Sequence, residues 1–478
     1  MTKTITAFKW SVVLFIGLYI LYRAFAVEII QDEAYSYFLI KTNYWRALPG
    51  TANTHWLNSF FMRIFLWLPG EDAPWKMRIS SIAAWPLFAF YTIRLSDTFR
   101  NRWIGLCFFI SLVLNPFIVL YFSVARGYAI CFAFIMLCVW QAYSLFKNEN
   151  PSINHFLKVL LPAALAVLAN FSAFYFFIGI TIILFLHWYL HNPTKSMKEW
   201  FLSLPMLLIF GVSLFSVASL FFIRHFGELW YGGKTNIIYS LFASPIKTMS
   251  FITFPPEIAG YSIFIFLLAA FIISAYKYYR TRKLTLSFLS SSILVFIIAF
   301  NWILHLLFNT PFLLDRTALF LFPLIMILFF TILDIYEWKL KIFRYGLQIT
   351  LTAFMSLIII NFYKSINLKF FYELPLEAHA RECFDYLQKE RAKKIGVTIA
   401  LYGLLEHYYK PAFPEKYPFD YIRVTTAQIN QPADSLRVTG IDHLLLNVYN
   451  TQKNTALHQM QQLLYFPYSN SAVYSFRN

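Results

Sequence analysis

Charged side chains are scarce in this sequence. Only 13% of its 478 residues are Asp, Glu, Lys or Arg, whereas soluble proteins average roughly 25%. A soluble domain needs more charge than this to cover its surface. With 59% hydrophobic residues, the chain also has too much apolar area for a disordered segment or a coiled coil. The composition therefore disfavours a fully soluble protein.

Cysteine is scarce too, with four residues in the chain. Three of them fall in apolar runs and the fourth in a more polar tail, so the pattern predicts no disulfide framework. The first apolar run is too long for a signal-peptide core, and no small-residue cleavage site follows it. We therefore interpret this run as an uncleaved membrane anchor.

Apolar runs near 20 residues, the length at which a helix crosses a bilayer, recur along most of the chain. They predict an all-α polytopic membrane protein with about eleven transmembrane helices. The approximate spans are 9–27, 78–95, 103–121, 125–146, 157–171, 173–190, 201–222, 261–278, 286–305, 317–335 and 346–363.

The density of charge divides the chain near residue 368. Residues 369–478 hold 12 of the 40 basic and 10 of the 23 acidic residues, which approaches the density of a soluble protein. We therefore expect a transmembrane body, 1–368, with long outer loops at 28–77 and 223–260, and a small C-terminal α/β domain, 369–478. Strand-like runs alternate with helical runs in this tail, which predicts a mainly parallel sheet. The strand-like runs are 394–401, 421–426 and 443–448.

The net charge of +17 would suggest a nucleic-acid partner if the protein were soluble. Here 16 basic and 5 acidic residues fall in the loops on the N-terminal side of the predicted spans, and the positive-inside rule makes that side cytoplasmic. The charges therefore report orientation and not a nucleic-acid partner. We expect a multi-pass protein of the cytoplasmic (inner) membrane, with a cytoplasmic N-terminus and an extracytoplasmic C-terminal domain.

Two adjacent carboxylates, Asp32 and Glu33, directly follow the first span. A carboxylate under aromatic cover at a membrane surface suits a general base that acts on a hydroxyl or amide acceptor. The alternative is a pair of solvated charges at a helix end. His55 lies in the same loop, either as a substrate contact or as an ordinary surface histidine.

Two arginines stand at the outer ends of apolar runs. Arg126 lies between two spans with almost no loop around it, where a charge is costly and needs a partner. Its planar guanidinium suits a phosphate or a carboxylate, although it could also reach lipid headgroups. Arg316 begins a later span, either as a second anion ligand or as an interface anchor paired with Asp315.

Three segments in this order resemble the motifs of the GT-C superfamily of membrane glycosyltransferases. They are Asp32-Glu33-Ala-Tyr35, Ala125-Arg126-Gly-Tyr128-Ala129 and the stretch from Arg316 to Pro323. The resemblance covers roughly residues 1–340. It points to the bacterial branch that is related to protein O-mannosyltransferases and the lipid A aminoarabinose transferase.

The resemblance implies an inverting enzyme that moves a hexose or pentose from a polyprenyl-phosphate donor, usually undecaprenyl phosphate in bacteria. The acceptor would be a protein, a lipid or a glycan at the outer face of the membrane. The family implies Asp32 as the base, with Glu33 positioning it or binding the sugar. Arg126 and Arg316 would bind the donor phosphate, and Tyr128 and His55 would contact substrate.

One position departs from the family pattern. The family often has Glu immediately before the Ala-Arg pair, where this chain has Val124. A second carboxylate is therefore missing, and since Mg²⁺ and Mn²⁺ prefer oxygen ligands, we expect an enzyme without metal or cofactor, with a divalent cation as the alternative.

Two other functions stay open: a lipid-linked glycan flippase or transporter, and a ligase or polymerase of surface polysaccharide. Transporters place ionisable residues near the bilayer midplane and often contain inverted repeats. This sequence has no visible repeat, and Arg23 is the only charge well inside a predicted span. The pattern therefore favours an enzyme at the outer surface.

Overall fold

The computed structural model describes residues 2–42, 55–146, 153–191, 203–227, 231–234, 236–249, 255–335, 341–371, 374–429, 436, 439–447, 457, 460–467 and 469–476. The chain divides into two compact units. The first contains residues 1–20, 48–60 and 80–366, and the second contains 21–47, 61–79 and 367–478. The second unit thus includes residues 21–47 and 61–79, which the predicted boundary at residue 368 places in the membrane body.

Long apolar helices make up the described chain up to residue 365. They are α1 (Thr2–Ala26), α2 (Gln31–Thr42), α3 (Trp56–Phe65), α4 (Pro74–Ser96), α5 (Arg102–Val113), α6 (Pro116–Tyr121), α7 (Tyr128–Leu145), α8 (Leu157–Ala169), α9 (Phe174–His191), α10 (Leu204–His225), α11 (Ser244–Met249), α12 (Pro256–Thr281), α13 (Leu286–Phe308), α14 (Leu321–Ile335) and α15 (Lys341–Ser365). Short 3-10 helices cover Ile153–Phe156, Phe171–Ala173 and Asp315–Ala318, and a π-helix covers Tyr239–Ala243.

Among the described residues, seven helices are long and apolar enough to cross a bilayer: α1, α7, α9, α10, α12, α13 and α15. The other predicted spans fall on shorter apolar helices and on α4, which carries Lys76, Arg78 and Arg94. The predicted polytopic all-α body is confirmed.

The predicted span at 103–121 is wrong in one respect, because it is two helices. α5 ends at Val113, and Pro116 begins α6. The Asn115 side chain accepts a hydrogen bond from the Ile118 N–H at 3.1 Å. Asparagine and proline in this order favour a helix start, and proline cannot donate the hydrogen bond that a continuous helix needs.

One contact within the first unit joins the start of α1 to the end of α4, as expected if these two helices run in opposite directions. The Lys9 ammonium donates to Asp97 Oδ1 at 2.6 Å, which joins the start of α1 to the residue after α4. Deeper in the bundle, α13 packs against α9, α12 and α14. The two long outer loops are described in part, since residues 43–54, 228–230, 235 and 250–254 lie outside the described residues.

The second unit contains a mixed five-stranded sheet. Its strands are β1 (Lys394–Val397), β2 (Asp420–Arg423), β3 (His443–Asn447), β4 (Met460–Phe466) and β5 (Ser471–Phe476), in the order β2-β1-β3-β5-β4. β1 pairs in parallel with β2 and β3, whereas β5 pairs antiparallel with β3 and β4. The expectation of a mainly parallel sheet therefore holds for only one half of it.

Helices and apolar side chains complete this part of the second unit. The helices are α16 (Ala380–Lys389), α17 (Ile399–Leu404), α18 (Lys410–Ala412) and α19 (Thr426–Ile429), with a 3-10 turn at Pro375–Glu377 and a π-helix at Leu405–Tyr409. Strand residues Leu444, Leu446, Met460 and Tyr474 form a buried core together with Val424.

Arg23, the one charge well inside a predicted span, has a structural role. Its side chain is fully buried. The guanidinium donates to the carbonyl oxygens of Asn367 at 2.6 Å and Phe370 at 3.2 Å, within the same unit. These acceptors satisfy a charge that would be costly in an apolar environment.

Candidate active site

Arg126 lies in a tight non-helical connection between α6 and α7, and it is 3% exposed. Asn58 Nδ2 donates to the preceding carbonyl, Ala125 O, at 2.9 Å, and the Arg126 N–H donates to Val124 O. The guanidinium carbon stands 5.8 Å from the centre of the Tyr128 ring, which is a cation–π distance. The backbone that carries Arg126 is thus fixed by buried hydrogen bonds.

Gly127 is required by a close approach of backbone at this place. A Cβ at position 127 would lie 1.6 Å from the Ala169 carbonyl oxygen and 2.9 Å from His55 Nδ1. The end of α8 and residue 55 therefore touch the same segment as Arg126. No other residue type fits here without moving the backbone.

His55 is buried, with 6% of its surface exposed. Its Nδ1 lies 3.0 Å from Ala169 O, where only a protonated nitrogen makes a hydrogen bond, so the neutral ring carries its lone pair on Nε2. Nε2 is buried and has no hydrogen-bond partner among the described residues. Burial is the main cause that lowers the pKa of His55 well below its ordinary value, and the charges of Arg126 and Arg316 lower it further. His55 is therefore a neutral hydrogen-bond acceptor beside two arginines.

Arg316 is held in the segment before α14. Its guanidinium carbon stands 5.1 Å from the centre of the Tyr231 ring. The neighbouring Asp315 has a left-handed backbone (φ 46°), and its carboxylate accepts hydrogen bonds from Ser244 and from the Tyr231 hydroxyl. Burial raises the pKa of Asp315, while the hydrogen bond from Tyr231 and the charges of Lys247 and Arg316 oppose the rise.

These side chains form one candidate site at one end of the first unit. Two permanent cations and a neutral imidazole acceptor suit a ligand that carries both an anion and a hydroxyl group. The predicted site residues Arg126, His55 and Tyr128 are thus in contact with one another, and the charge of Arg316 acts on His55. Their roles stay predictions.

The acidic pair belongs to the second unit, and its two members differ. Glu33 is fully buried in an ion pair with Arg78, with 2.6 Å between Oε2 and Nη2 and 2.9 Å between Oε1 and Nε. Arg78 also donates to the carbonyl oxygens of Ala24, Val27 and Glu28. Glu33 therefore has the geometry of a structural residue, and its predicted catalytic role remains untested.

Asp32 is partly exposed at the first turn of α2. Its neighbour Gln31 donates its backbone N–H to Glu377 Oε2 at 2.8 Å, so a buried carboxylate from the C-terminal segment caps the helix that carries Asp32. A carboxylate at this end also interacts favourably with the helix dipole. Burial, and then the charges of Asp32 and Glu33, raise the pKa of Glu377 well above its ordinary value.

Further contacts hold the face of α2 against the C-terminal segment. The Tyr37 and Tyr408 rings meet edge to face at 5.2 Å, and the Tyr408 hydroxyl donates to Asp72 O at 2.7 Å. The Tyr409 hydroxyl donates to the Glu28 carboxylate at 2.7 Å. The C-terminal segment therefore fixes the loop in which Asp32 lies.

The sequence pattern misses two of these residues. Arg78 stands at the start of a predicted span, and a charge in such a place is a usable sign of a buried partner. Glu377 lies in a polar segment where carboxylates are common, so nothing in the pattern distinguishes it. No group of three or more His, Cys, Asp or Glu residues within the described ranges is arranged to hold a metal ion.

The fold defines a class: a polytopic, mostly α-helical membrane protein with a small C-terminal α/β domain. The structure is similar to the crystal structure of ArnT from Cupriavidus metallidurans bound to undecaprenyl phosphate, with a TM-score of 0.56 and 10% identity over 98% of this chain and 97% of that one. At this identity the likeness shows the fold, and the GT-C fold that the resemblance implied is confirmed.

Two other solved structures give lower scores. The apo oligosaccharyltransferase of Archaeoglobus fulgidus has a TM-score of 0.48 at 12% identity over 92% of this chain and 69% of that one. The arabinofuranosyltransferase AftD from Mycobacteria has a TM-score of 0.45 at 12% identity over 99% of this chain and 40% of that one. No protein-family model and no curated protein sequence matches the chain.

Proposed function

We propose that this protein is an inverting glycosyltransferase that moves a sugar from a polyprenyl-phosphate donor to an acceptor at the outer face of the cytoplasmic membrane. The observation that carries the proposal is the cluster of Arg126, Arg316 and the buried neutral acceptor His55. The likeness in fold to ArnT, whose crystal structure holds undecaprenyl phosphate, supports the donor class.

The chemistry of the donor matches this cluster. When the bond between the anomeric carbon and the phosphate oxygen breaks, the bonding electrons leave with the lipid phosphate. Fixed cations stabilise the negative charge that develops there, so no acid is needed to protonate the leaving group. We assign this role to Arg126 and Arg316. His55 Nε2 accepts a hydrogen bond from a sugar hydroxyl, and the Tyr128 ring supports the Arg126 guanidinium.

Asp32 is the proposed base. It takes the proton of the acceptor as the acceptor oxygen or nitrogen bonds to the anomeric carbon from the face opposite the phosphate, which inverts the configuration. Of the adjacent pair, Asp32 keeps an accessible side chain, while Glu33 is fully buried against Arg78.

Replacement of Asp32 tests the base. Asp32→Asn should abolish transfer from a polyprenyl-phosphate sugar in a reconstituted assay and leave donor binding within about twofold of wild type. Glu71→Gln removes an exposed carboxylate of the same loop and should keep full activity. Turnover by Asp32→Asn at the wild-type rate would exclude Asp32 as the base.

Donor binding tests the arginines. Arg126→Ala and Arg316→Ala should each weaken donor binding by at least tenfold, since a charged hydrogen bond contributes about 1.5–3 kcal/mol. The matched control is Arg224→Ala, an exposed arginine that donates to Phe308 O.

Binding and movement of the lipid without sugar transfer would favour the flippase alternative. Loss of activity on chelation, restored by Mg²⁺ or Mn²⁺, would contradict a metal-independent reaction.

A further inference from the structure

A cavity lies in the first unit, at the far ends of α7 and α14, the two helices that begin shortly after Arg126 and Arg316. It has a volume of about 630 Å³ and is lined by residues that follow α4, join α12 to α13, and end α7 and α14. α7 begins next to Arg126, and its 18 residues span ~27 Å before it reaches this cavity. In the predicted orientation the cavity faces the cytoplasm.

Four cations are among the residues that line the cavity: Arg100, Lys277, Arg282 and Lys283. One carboxylate, that of Asp334, also lines it. Asp334 already accepts the backbone N–H groups of Arg100 at 2.8 Å and Asn101 at 2.9 Å. None of the four cations forms an ion pair with a carboxylate in the described part of the chain. The wall therefore carries a net positive charge that a ligand could neutralise.

Apolar side chains line the same cavity. They are Phe99, Phe146, Leu284, Leu286 and Ile335. A free anion gains nothing from apolar side chains, whereas an amphiphile with an acyl chain beside its phosphate matches both the cations and the apolar lining.

Aromatic residues place this end of the bundle at headgroup depth. Tyr276, Tyr279 and Trp103 are exposed there, with 59%, 69% and 39% of their surfaces accessible. Aromatic side chains of this kind collect where a membrane protein meets the headgroup region. The Arg282 guanidinium carbon lies 5.5 Å from the centre of the Tyr279 ring, so that charge is held at the same level.

We propose that this cavity binds the phosphate of an anionic membrane lipid. The four cations, Arg100, Lys277, Arg282 and Lys283, would contact the phosphate, and the apolar side chains that line the cavity would contact the acyl chain. Basic pockets between the ends of transmembrane helices recognise anionic headgroups in this way. The site is separate from the proposed donor site, and it stands whether or not the protein transfers sugar.

Native mass spectrometry of the full-length protein can test the proposal. Purified protein should retain phosphatidylglycerol in preference to phosphatidylcholine. Arg100→Gln with Lys283→Gln should weaken phosphatidylglycerol binding by about 25-fold, because each cation near a membrane surface contributes a factor of about five. Both side chains are exposed, so the double variant should fold, which its melting temperature checks. Arg102→Gln, an exposed neighbour that does not line the cavity, should bind like wild type.

Three results would overturn the proposal. The first is a double variant that retains phosphatidylglycerol like wild type, and the second is equal retention of the two lipids by wild-type protein. The third is binding of inorganic phosphate as tightly as phosphatidylglycerol, because the ligand would then be a free anion rather than a lipid.

Discussion

The adjacent residues Asp32 and Glu33 lie in different surroundings. The fully buried Glu33 faces the fully buried Arg78, and each charge compensates the other. A buried pair of this kind is tolerated because both charges are satisfied, and removal of one partner leaves the other uncompensated. Asp32, in contrast, is partly exposed.

Glu33→Gln should therefore destabilise the protein by about 3–5 kcal/mol. Asp32→Asn should change stability by less than about 0.5 kcal/mol, as surface substitutions do. Melting of both variants in the same detergent, compared with their turnover, separates the roles. A Glu33→Gln protein that melts like wild type but does not turn over would give Glu33 a direct catalytic role.

His55 predicts a dependence of stability on pH. Its pKa is lowered in the folded protein, mainly by burial, so the unfolded chain takes up a proton first as the pH falls. The stability that depends on neutral His55 is therefore present above about pH 6.5 and is lost as the pH falls below it.

The apparent melting temperature of wild type should fall between about pH 7.5 and 5.5, and His55→Gln should remove part of that fall. Glutamine keeps a donor for Ala169 O and an acceptor for substrate, but it does not titrate. His225→Gln changes an exposed histidine and should keep the wild-type difference. An unchanged pH dependence in His55→Gln would mean that other groups cause it.

Among the helices, the contact of α7 and α8 at Gly127 is the tightest constraint on the arginine cluster. Gly127→Ala would place a methyl group against the Ala169 carbonyl, a backbone atom that cannot turn aside. We expect a loss of about 1–3 kcal/mol or more, together with weaker donor binding, because Arg126 is the preceding residue.

Gly211→Ala in α10 is the matched control for this change. Nothing lies within 4 Å of a Cβ at position 211, so alanine there should be neutral or stabilising by up to about 1 kcal/mol. Both variants can be compared by melting temperature. Equal melting temperatures for Gly127→Ala and wild type would show that the backbone yields at little cost.

The sequence predicts the helices well because bilayer thickness demands long apolar runs, and these are visible in composition alone. It does not predict the break between α5 and α6, since Asn115 and Pro116 are only two residues within an apolar run. It also misses β4, in which Gln461 and Gln462 are polar, and β5. Antiparallel pairing with β5 makes this strand part of the sheet.

The sequence singles out Arg126 because a charge in apolar surroundings is unusual and needs a partner. The pairing of Glu33 with Arg78 joins residues 45 positions apart, and the cap of Gln31 by Glu377 joins residues 346 positions apart. No local pattern encodes such contacts. They depend on which segments the fold brings together.

Considered as a whole, the second unit is built from three separate segments of the chain. Residues 369–478 supply the sheet and also partners for the end of α1 and for the first loop. These include Glu377 for the Gln31 N–H, Tyr409 for the Glu28 carboxylate and Phe370 for the Arg23 guanidinium. The C-terminal segment is thus part of the structure that presents Asp32, rather than an independent appendage.

A chain truncated after residue 368 should therefore lose more than an accessory domain. Its first loop would lack the Glu377 cap, and buried surfaces of α2 such as Tyr37 would become exposed. We expect the truncated protein to aggregate on extraction and to show no transfer. Because a helix N–H that loses its acceptor costs about 1–3 kcal/mol, Glu377→Ala alone should lower the melting temperature and speed amide exchange at Gln31. Glu377→Gln keeps an acceptor and should have a smaller effect. A monodisperse truncated chain that still transfers sugar would show that the first loop holds Asp32 without the C-terminal segment.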